Sequence, residues 1–503
     1  MLKRFLCSVI LLACFSAVFA STMDKRVRSV PKEIREAVFK NPKDNLPSLV
    51  KALTNGLGTD AKVKVIHDWI CDNIAYDSDM YFSGRVSKQD SASVLKKRKA
   101  VCSGYSNLMA DMCNLAGVEA IVIYGYSKGF GYTGKLDDNP DHAWNAVKKS
   151  GGWQLIDVTW DAGYLDYKAF IKQYSTQWFS LTPSQFIYSH LPLESEMQLL
   201  PKEKQRTKEM FVKEPYLSGV FFENGLRLGK NACDYTNEIN GATTFDFGIS
   251  KQNLLLVSDL VDREGGSSVK NATWIDHKGS AFGVNVDIPT AKKYRARLLC
   301  RPRNALQNPP FFTENEFEQS IRPRVLQLLA EKKITEKEKE FFDEAFFKVD
   351  DNRRYYPAED LFATERNNAV TKILKLLDEN TGSYAEVMYF DIVPASGYAG
   401  FGTGVLRFPT TFRSYGETLN TKLVSPLGAV LKAGEEVRFE IQSKDFLSMA
   451  VVVNDALQVM SKNTKAGSFE LTLTVPYAQD TLEVMASKDG KHFAGLWFYE
   501  IEH

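Results

Sequence analysis

The sequence predicts an α+β core followed by two β-sandwich domains, the first of them interrupted by a helical insertion. Three observations lead there. Up to about residue 200, apolar stripes of helical period precede β-branched runs, the mixed texture of an α+β domain. From Phe211 the texture changes to short alternating strands separated by Gly and Asn turns. This second half also repeats itself: Thr244-Phe-Asp-Phe247-Gly-Ile249-Ser resembles Glu436-Val-Arg-Phe439-Glu-Ile441-Gln, Val286-Asp-Ile288-Pro289 resembles Leu473-Thr-Val475-Pro476, and Tyr384–Ile392 lines up with Phe493–Ile501. The first two pairs lie 192 and 187 residues apart and the last 109, so the first copy carries about 80 extra residues before its final strand.

At 503 residues the chain exceeds a single hydrophobic core. A formal net charge of +1 implies neither nucleic acid nor a strongly anionic surface as partner, and 44% apolar with 12% aromatic residues is a globular composition.

Taken in order, Lys3 and Arg4 precede an apolar run from Phe5 to Phe19, and Val18-Phe19-Ala20 gives way to polar Ser21. This is the pattern of a signal peptide, residues 1–20, cleaved after Ala20. Leu11-Leu12-Ala13-Cys14 would suit a lipoprotein signal, although the residues after Cys14 stay apolar. No other run approaches the roughly 18 apolar residues of a membrane span. A secreted or periplasmic protein is expected, soluble or tethered only at its N-terminus. Five cysteines would remain, Cys71, Cys102, Cys113, Cys233 and Cys300, so at least one thiol is unpaired. Cys233 and Cys300 fit either a disulfide or two buried thiols. With no CxxC, His-rich or EF-hand pattern, neither metal nor cofactor is expected.

The core domain is placed at 21–205 and begins with helices. Gly58-Thr59-Asp60 caps a helix whose Val63, Ile66, Ile70 and Ile74 share one stripe, with Trp69 beside it and His67 read as a partly exposed helical residue. Two readings fit Tyr76: an aromatic packed between helix and sheet, or a residue lining a cleft. Next, the basic run Lys96-Lys97-Arg98-Lys99 leads into Cys102, where Leu108, Met109, Met112 and Leu115 mark a helix beginning near Ser103. A cysteine at a helix N-terminus meets free N–H groups and the positive end of the dipole, which favour a thiolate.

A thiolate nucleophile needs a base and a group to orient that base. Val118–Tyr126 reads as a strand; after it comes the glycine-rich stretch Gly129–Gly134, a mobile lip or a plain surface loop. Asp141-His142-Ala-Trp144 and Trp153-Gln-Leu-Ile-Asp157-Val-Thr-Trp160 flank the turn-rich Lys148–Gly152 and read as a hairpin. A turn centred between Lys149 and Ser150 pairs residues whose numbers sum to 299, setting Asp157 opposite His142 to accept the Nδ1 proton. A slip of one residue would send Asp157 to the other face. Asp141 is assigned to the opposite face of its strand, Trp144 and Trp160 to the core near the site, and His190 to a structural hydrogen bond.

Val-Cys102-Ser-Gly-Tyr105-Ser, Asp-His142-Ala-Trp144-Asn and Leu-Ile-Asp157-Val-Thr-Trp-Asp resemble the three core motifs of the transglutaminase-like superfamily. Within it, the order Cys, His, Asp and the later Trp178–Pro192 resemble the kyphoscoliosis peptidase group. The resemblance covers roughly residues 30 to 200 and implies a papain-like fold with Cys102 as nucleophile, His142 as base and Asp157 as orienting carboxylate. Tyr76, Tyr105 and Trp144 are the expected cleft residues. The superfamily includes transglutaminases, proteases, amidases and inactive members, so it does not settle the chemistry.

The repeats are read as immunoglobulin-like sandwiches at 206–302 with 383–396 and at 405–503, around a helical insertion at 303–382. In the insertion Thr335-Glu-Lys-Glu338 has the form of a capping box; Phe341, Phe342, Ala345, Phe346 and Val349 make one stripe and Val370, Ile373, Leu374 and Leu377 another. Both copies are expected to bind an extracellular or cell-envelope partner, or to act as spacers. For the whole chain, the leading expectation is an exported thiol enzyme that hydrolyses a protein or peptide substrate through an acyl-enzyme. Cross-linking is less favoured because the glycine-rich stretch is too open to shape a dry tunnel and no calcium loop is present to gate one. An idle triad on a binding scaffold, or a purely structural role, are the competing readings.

Overall fold

The computed structural model describes residues 23–85, 87–166, 168–251, 254–302, 322–347, 384–400, 408–411 and 420–503, with Thr418 and isolated positions between 365 and 377. The expected signal peptide and Cys14 lie outside the described residues. Two compact units emerge, one ending at Glu223 and one beginning at Asn224.

The first unit opens with α1 (Lys25–Ser29), α2 (Lys32–Lys40), α3 (Pro42–Thr54) and α4 (Thr59–Asn73). Val63, Ile66 and Ile70 of α4 are fully buried, as the stripe predicts, and so is Trp69. Next come β1 (Ala75–Tyr76), α5 (Ser78–Ser83), α6 (Ser91–Lys97), β2 (Lys99–Ala100) and α7 (Cys102–Leu115). Arg98 ends α6 in a left-handed conformation (φ 55°) and turns the chain into β2, which runs parallel to β1 with Tyr76 beside Ala100. The segment before Cys102 is thereby tied to the end of α4.

The sheet follows: β3 (Ala120–Ser127), β4 (His142–Lys149), β5 (Gly152–Ile156), then α8 (Val158–Ala162), β6 (Gly163–Asp166), β7 (Ala169–Lys172), α9 (Pro183–Phe186) and β8 (His190–Pro192). Its strand order is β5-β4-β3-β8, antiparallel throughout. On one face Val147 and Ile156 join Trp69, Leu108 and Met109 in the main core; on the other, Ile123, Trp144 and Leu155 pack with Trp178, Leu181 and Phe186. Burial on both faces explains the apolar runs in place of clean alternation.

The hairpin register differs from the sequence expectation. Lys149 pairs with Gly152 and Asn145 with Ile156, so opposed numbers sum to 301 rather than 299. The loop is Ser150-Gly151, closed by Gly152 at φ 111°, where a side chain would be strained. A slip of two residues keeps every side chain on its expected face, but it leaves Asp157 beyond the strand, at the start of α8.

The unit also runs past residue 205. Phe211 is fully buried in a cluster with Tyr126, Ile187 and Leu191, and Lys128 donates to the Glu214 carbonyl at 2.5 Å. A stop at 205 would remove a core side chain.

In the second unit, strands 226–228, 242–249, 281–287 and 273–278 form one sheet in that order; strands 421–425, 436–443, 468–474 and 461–463 form another in the same order. Each is accompanied by a sheet in which a short strand, 236–239 or 430–432, runs parallel to a last long strand, Ala385–Pro394 or Ala494–Glu502. The sequence repeat therefore reappears as matching strand order. In the insertion, Thr335 and Glu338 make the expected reciprocal cap, and Phe342, Ile373 and Leu377 are buried with Val325, Leu328 and Ile334. Val349, Val370 and Leu374, and the side chains of Ala345 and Phe346, lie outside the described residues.

Candidate active site

Cys102 is the first residue of α7, after Val101 at the N-cap. The first intrahelical donor is the Gly104 N–H, to the Val101 carbonyl at 2.9 Å, so the Cys102 and Ser103 N–H groups precede the helical ladder. Gln89 braces this turn: its Oε1 accepts from the Val101 N–H at 3.0 Å, and its carbonyl accepts from Asn107 Nδ2 at 3.0 Å. Gly104 has no room for more. A Cβ there would stand 2.4 Å from Gln89 Oε1, 2.8 Å from Ala100 Cβ and 2.9 Å from Val94 Cγ2.

His142 starts β4, and its Nε2 lies 2.7 Å from Asp157 Oδ2. The sequence reading had Nδ1 in that role. With Nε2 taken by the carboxylate, Nδ1 is the nitrogen left to hydrogen-bond Cys102, an interaction that helps to favour the imidazolium. Burial works against the charged ring, but the Asp157 carboxylate and the Cys102 sulfur outweigh it and raise His142 to about 10.

Asp157 is fully buried and fully occupied. As N-cap of α8, its Oδ1 accepts from the Thr159 and Trp160 N–H groups at 2.8 and 3.2 Å; its Oδ2 accepts from His142 and from His190 Nε2, the latter at 3.1 Å. Burial opposes its charge, yet these donors hold the carboxyl well below the usual carboxylate range. His190 is pushed the other way, down to about 4, by burial and by His142, so it is neutral near pH 7. Its Nε2 faces the Asp157 carboxylate, which can only accept, so the ring proton is on Nε2, and Nδ1 lies 2.8 Å from Ser189 Oγ. His142, Asp157 and His190 offer ligand atoms within 4.8 Å of one another, but both facing ring nitrogens stand at hydrogen-bond distance from one carboxylate oxygen.

The rings sit in an aromatic box. Trp160 stacks on His142 with centroids 5.3 Å apart, while Trp144, Trp178 and Phe186 surround His190. Trp144 is thus a wall behind the histidines and is fully buried, not a cleft residue. Tyr105 is also corrected: three residues after Cys102, it points into the core, fully buried, and its hydroxyl donates to the Ile74 carbonyl at 2.8 Å. Tyr76 is half-buried, stacked over Tyr105 and within electrostatic reach of Cys102. Asp141 is spent on the Ser127 N–H at 2.8 Å.

His67 differs from expectation too. It is fully buried, with Nδ1 3.0 Å from Asp68 Oδ1 and Nε2 3.1 Å from Asp161 Oδ2. The signal available in the sequence was Asp68 beside it and Cys71 one turn on, polar residues inside an otherwise apolar helix. All five described cysteines are free thiols; Cys102 alone among them is not buried. Cys233 and Cys300 therefore resolve as two buried thiols.

A family model for the transglutaminase-like superfamily matches residues 47–158. This part of the chain belongs to the transglutaminase-like superfamily. It falls with the kyphoscoliosis peptidase group: the human kyphoscoliosis peptidase is 35% identical over 207 residues, 40% of this chain and 31% of that protein. Hillarin of Drosophila melanogaster is 28% identical over 226 residues, 41% of this chain and 27% of its own length. The chain thus matches less than a third of either relative. A solved TGase structure is 22% identical over 30% of this chain and 38% of its own, with a TM-score of 0.20. The core is that of a thiol-enzyme family. No helix among the described residues is long and apolar enough to cross a membrane.

Proposed function

We propose that this transglutaminase-like core hydrolyses amide bonds of a protein or peptide through a Cys102 acyl-enzyme. The observation that carries this reading is the buried relay in which Asp157 holds His142 Nε2 at 2.7 Å and leaves Nδ1 to Cys102. The Cys102 thiolate adds to the carbonyl carbon and the C=O pair moves to oxygen, which the helix-start N–H groups stabilise in this reading. As the C–N bond breaks, His142 Nδ1–H protonates the leaving amine. Neutral His142 then takes a proton from water as hydroxide adds to the thioester, and breaking of the C–S bond releases the acid and restores the Cys102 thiolate beside protonated His142.

Transfer to a lysine amine uses the same acyl-enzyme, and water at about 55 M prevails unless a pocket holds the amine. We read the two β-rich repeats as immunoglobulin-like modules that bind an envelope or matrix partner, and the N-terminal apolar run supports export to that side. The test is incubation of the protein and its Cys102→Ala variant with casein and a fluorescent primary amine while new peptide ends are followed. Cys102-dependent peptide release is expected; Cys102-dependent amine incorporation without new ends would overturn hydrolysis, and silence in both channels would favour an idle triad.

A further inference from the structure

Four aromatic side chains form a contiguous chain that starts at Tyr76, near Cys102. Tyr76, within electrostatic reach of Cys102, meets Tyr81 with centroids 5.9 Å apart; Tyr81 meets Phe82 at 5.1 Å, and Phe82 meets Phe130 edge-on at 5.9 Å. Tyr81, Phe82 and Phe130 are 41, 39 and 51% exposed, unusual for three large apolar residues in contact. They come from separate segments: Tyr81 and Phe82 from α5, Phe130 from the glycine-rich stretch after β3.

Both ends of this rim are fixed to the reacting groups. At one end α5 is capped by Asp77, whose own N–H is bound to Ala100 at 2.9 Å, two residues before Cys102. At the other, Gly129, the neighbour of Phe130, lies against Trp160, the ring stacked on His142; a Cβ on Gly129 would stand 2.8 Å from that indole. The exposed rings therefore bridge from the nucleophile's side of the cleft to the base's side. The Tyr81 hydroxyl is also in the field of Asp137 and Asp141, so the rim is apolar with an acidic edge.

We propose that Tyr81, Phe82 and Phe130 form a substrate subsite that seats a large apolar or aromatic side chain beside the scissile amide and disfavours an acidic one. This rests on Cys102 being the nucleophile. An incoming ring completes edge and face contacts that the rim leaves open to water, while a carboxylate would meet the field of Asp137 and Asp141.

The test compares Cys102 labelling by peptidyl vinyl sulfones carrying Phe, Ala or Asp next to the warhead, with iodoacetamide as the reagent that has no side chain. Phe is expected to react roughly ten-fold faster than Ala, and Asp more slowly than Ala. In Phe82→Ala/Phe130→Ala the Phe-to-Ala ratio is expected to fall to about two or less with iodoacetamide labelling unchanged, and Phe130→Asp alone should lower it as well. A wild-type ratio near one, or one retained in both variants, overturns the subsite while leaving the nucleophile standing. Failure of iodoacetamide to label Cys102 overturns the nucleophile itself, and the subsite with it.

Discussion

Asp157, the N-cap of α8, and Asp161 within it stand one turn apart, joined by a hydrogen bond from the Asp161 N–H to the Asp157 carbonyl at 3.2 Å, and each binds a buried histidine. Asp157 holds the proposed base. Asp161 holds His67 at 3.1 Å, accepts from the Trp178 N–H at 3.2 Å and is hydrogen-bonded by the Ser175 hydroxyl. The short helix is thus anchored to α4 by ionic contacts beneath the site. Such an anchor sets where Asp157 sits without touching substrate.

Its protonation follows from its surroundings. Burial disfavours charge on His67, but Cys71, Asp161 and Asp68 together raise it well above its ordinary value, and Asp68, despite burial, is lowered to about 2 by His67 and Lys64. A histidine raised in the fold adds stability that is fully present below the unfolded value of about 6.5 and is lost as pH rises through the folded value. His67→Gln is expected to destabilise by about 3–5 kcal/mol near pH 7, since it leaves the buried Asp161 carboxylate without its cation and Asp68 with Lys64 alone. Thermal melts from pH 6 to 10 check this: the difference from wild type should shrink as pH rises, and a constant difference would rule out a charged His67.

Cys102 should be the cysteine that alkylating reagents find. Cys71, Cys113, Cys233 and Cys300 are buried, and burial raises each thiol, Cys113 and Cys300 to about 12. At pH 7 iodoacetamide is expected to modify Cys102 at least about ten-fold faster than any of the others, and His142→Ala to slow that reaction. Peptide mapping by mass spectrometry gives the order of modification directly; a faster Cys71 or Cys113 would remove the basis of the enzyme reading.

The alkaline limit belongs to His142. Held at about 10, it keeps the proton that the leaving amine needs, so hydrolysis should persist through neutral pH and fall as pH rises through about 10. Asp157→Asn removes the group that raises it, and the limb should move toward the ordinary histidine value of about 6.5. Proton NMR of the ring follows the same titration without substrate. An unshifted ring in Asp157→Asn would show that the carboxylate does not control it.

Gly104 was legible only as part of a motif, and its reason lies in packing. With Gln89 Oε1 at 2.4 Å and Ala100 and Val94 below 3.0 Å from an added Cβ, Gly104→Ala must push α7 away from α6. Overpacking of this kind costs about 1–3 kcal/mol, and here the displaced turn carries Cys102. A lower melting temperature and slower Cys102 labelling are both expected; unchanged labelling would mean that the displacement is absorbed by Gln89.

The pattern of agreement has a physical cause. Cys102, His142 and Asp157 come together in the structure from three short motifs that are visible in the sequence, whereas the hairpin register depended on a turn whose centre the Lys-Lys-Ser-Gly-Gly run leaves ambiguous by one position. Period-2 alternation made the error harmless to faces. His67 was misread because polarity in an amphipathic helix usually marks its wet side; only long-range partners, Asp161 and Tyr174, show that it is dry. Tyr105 was misread for the converse reason, since proximity to Cys102 in sequence is not exposure on its face.

The end of the core is the remaining point that sequence texture placed too early. The motifs finish before residue 205, but β3 still lacks cover there: Tyr126 and Leu191 need Phe211, and Lys128, held down to about 7 by burial, donates to the Glu214 carbonyl. Full burial of a phenylalanine is worth about 1.5–3 kcal/mol, and its loss from a packed cluster about 3–5. A fragment of residues 23–223 is therefore expected to fold cooperatively and to keep selective Cys102 labelling, while 23–205 should melt lower or aggregate. Lys128 supplies a separate readout: lowered in the fold, it makes stability rise with pH between about 7 and 10.5, because the unfolded chain binds the proton more tightly there. That rise should survive in 23–223 and be flattened in 23–205, where the Glu214 carbonyl and the ring of Phe211 are gone. Equal stability and equal pH dependence of the two fragments would return the boundary to 205.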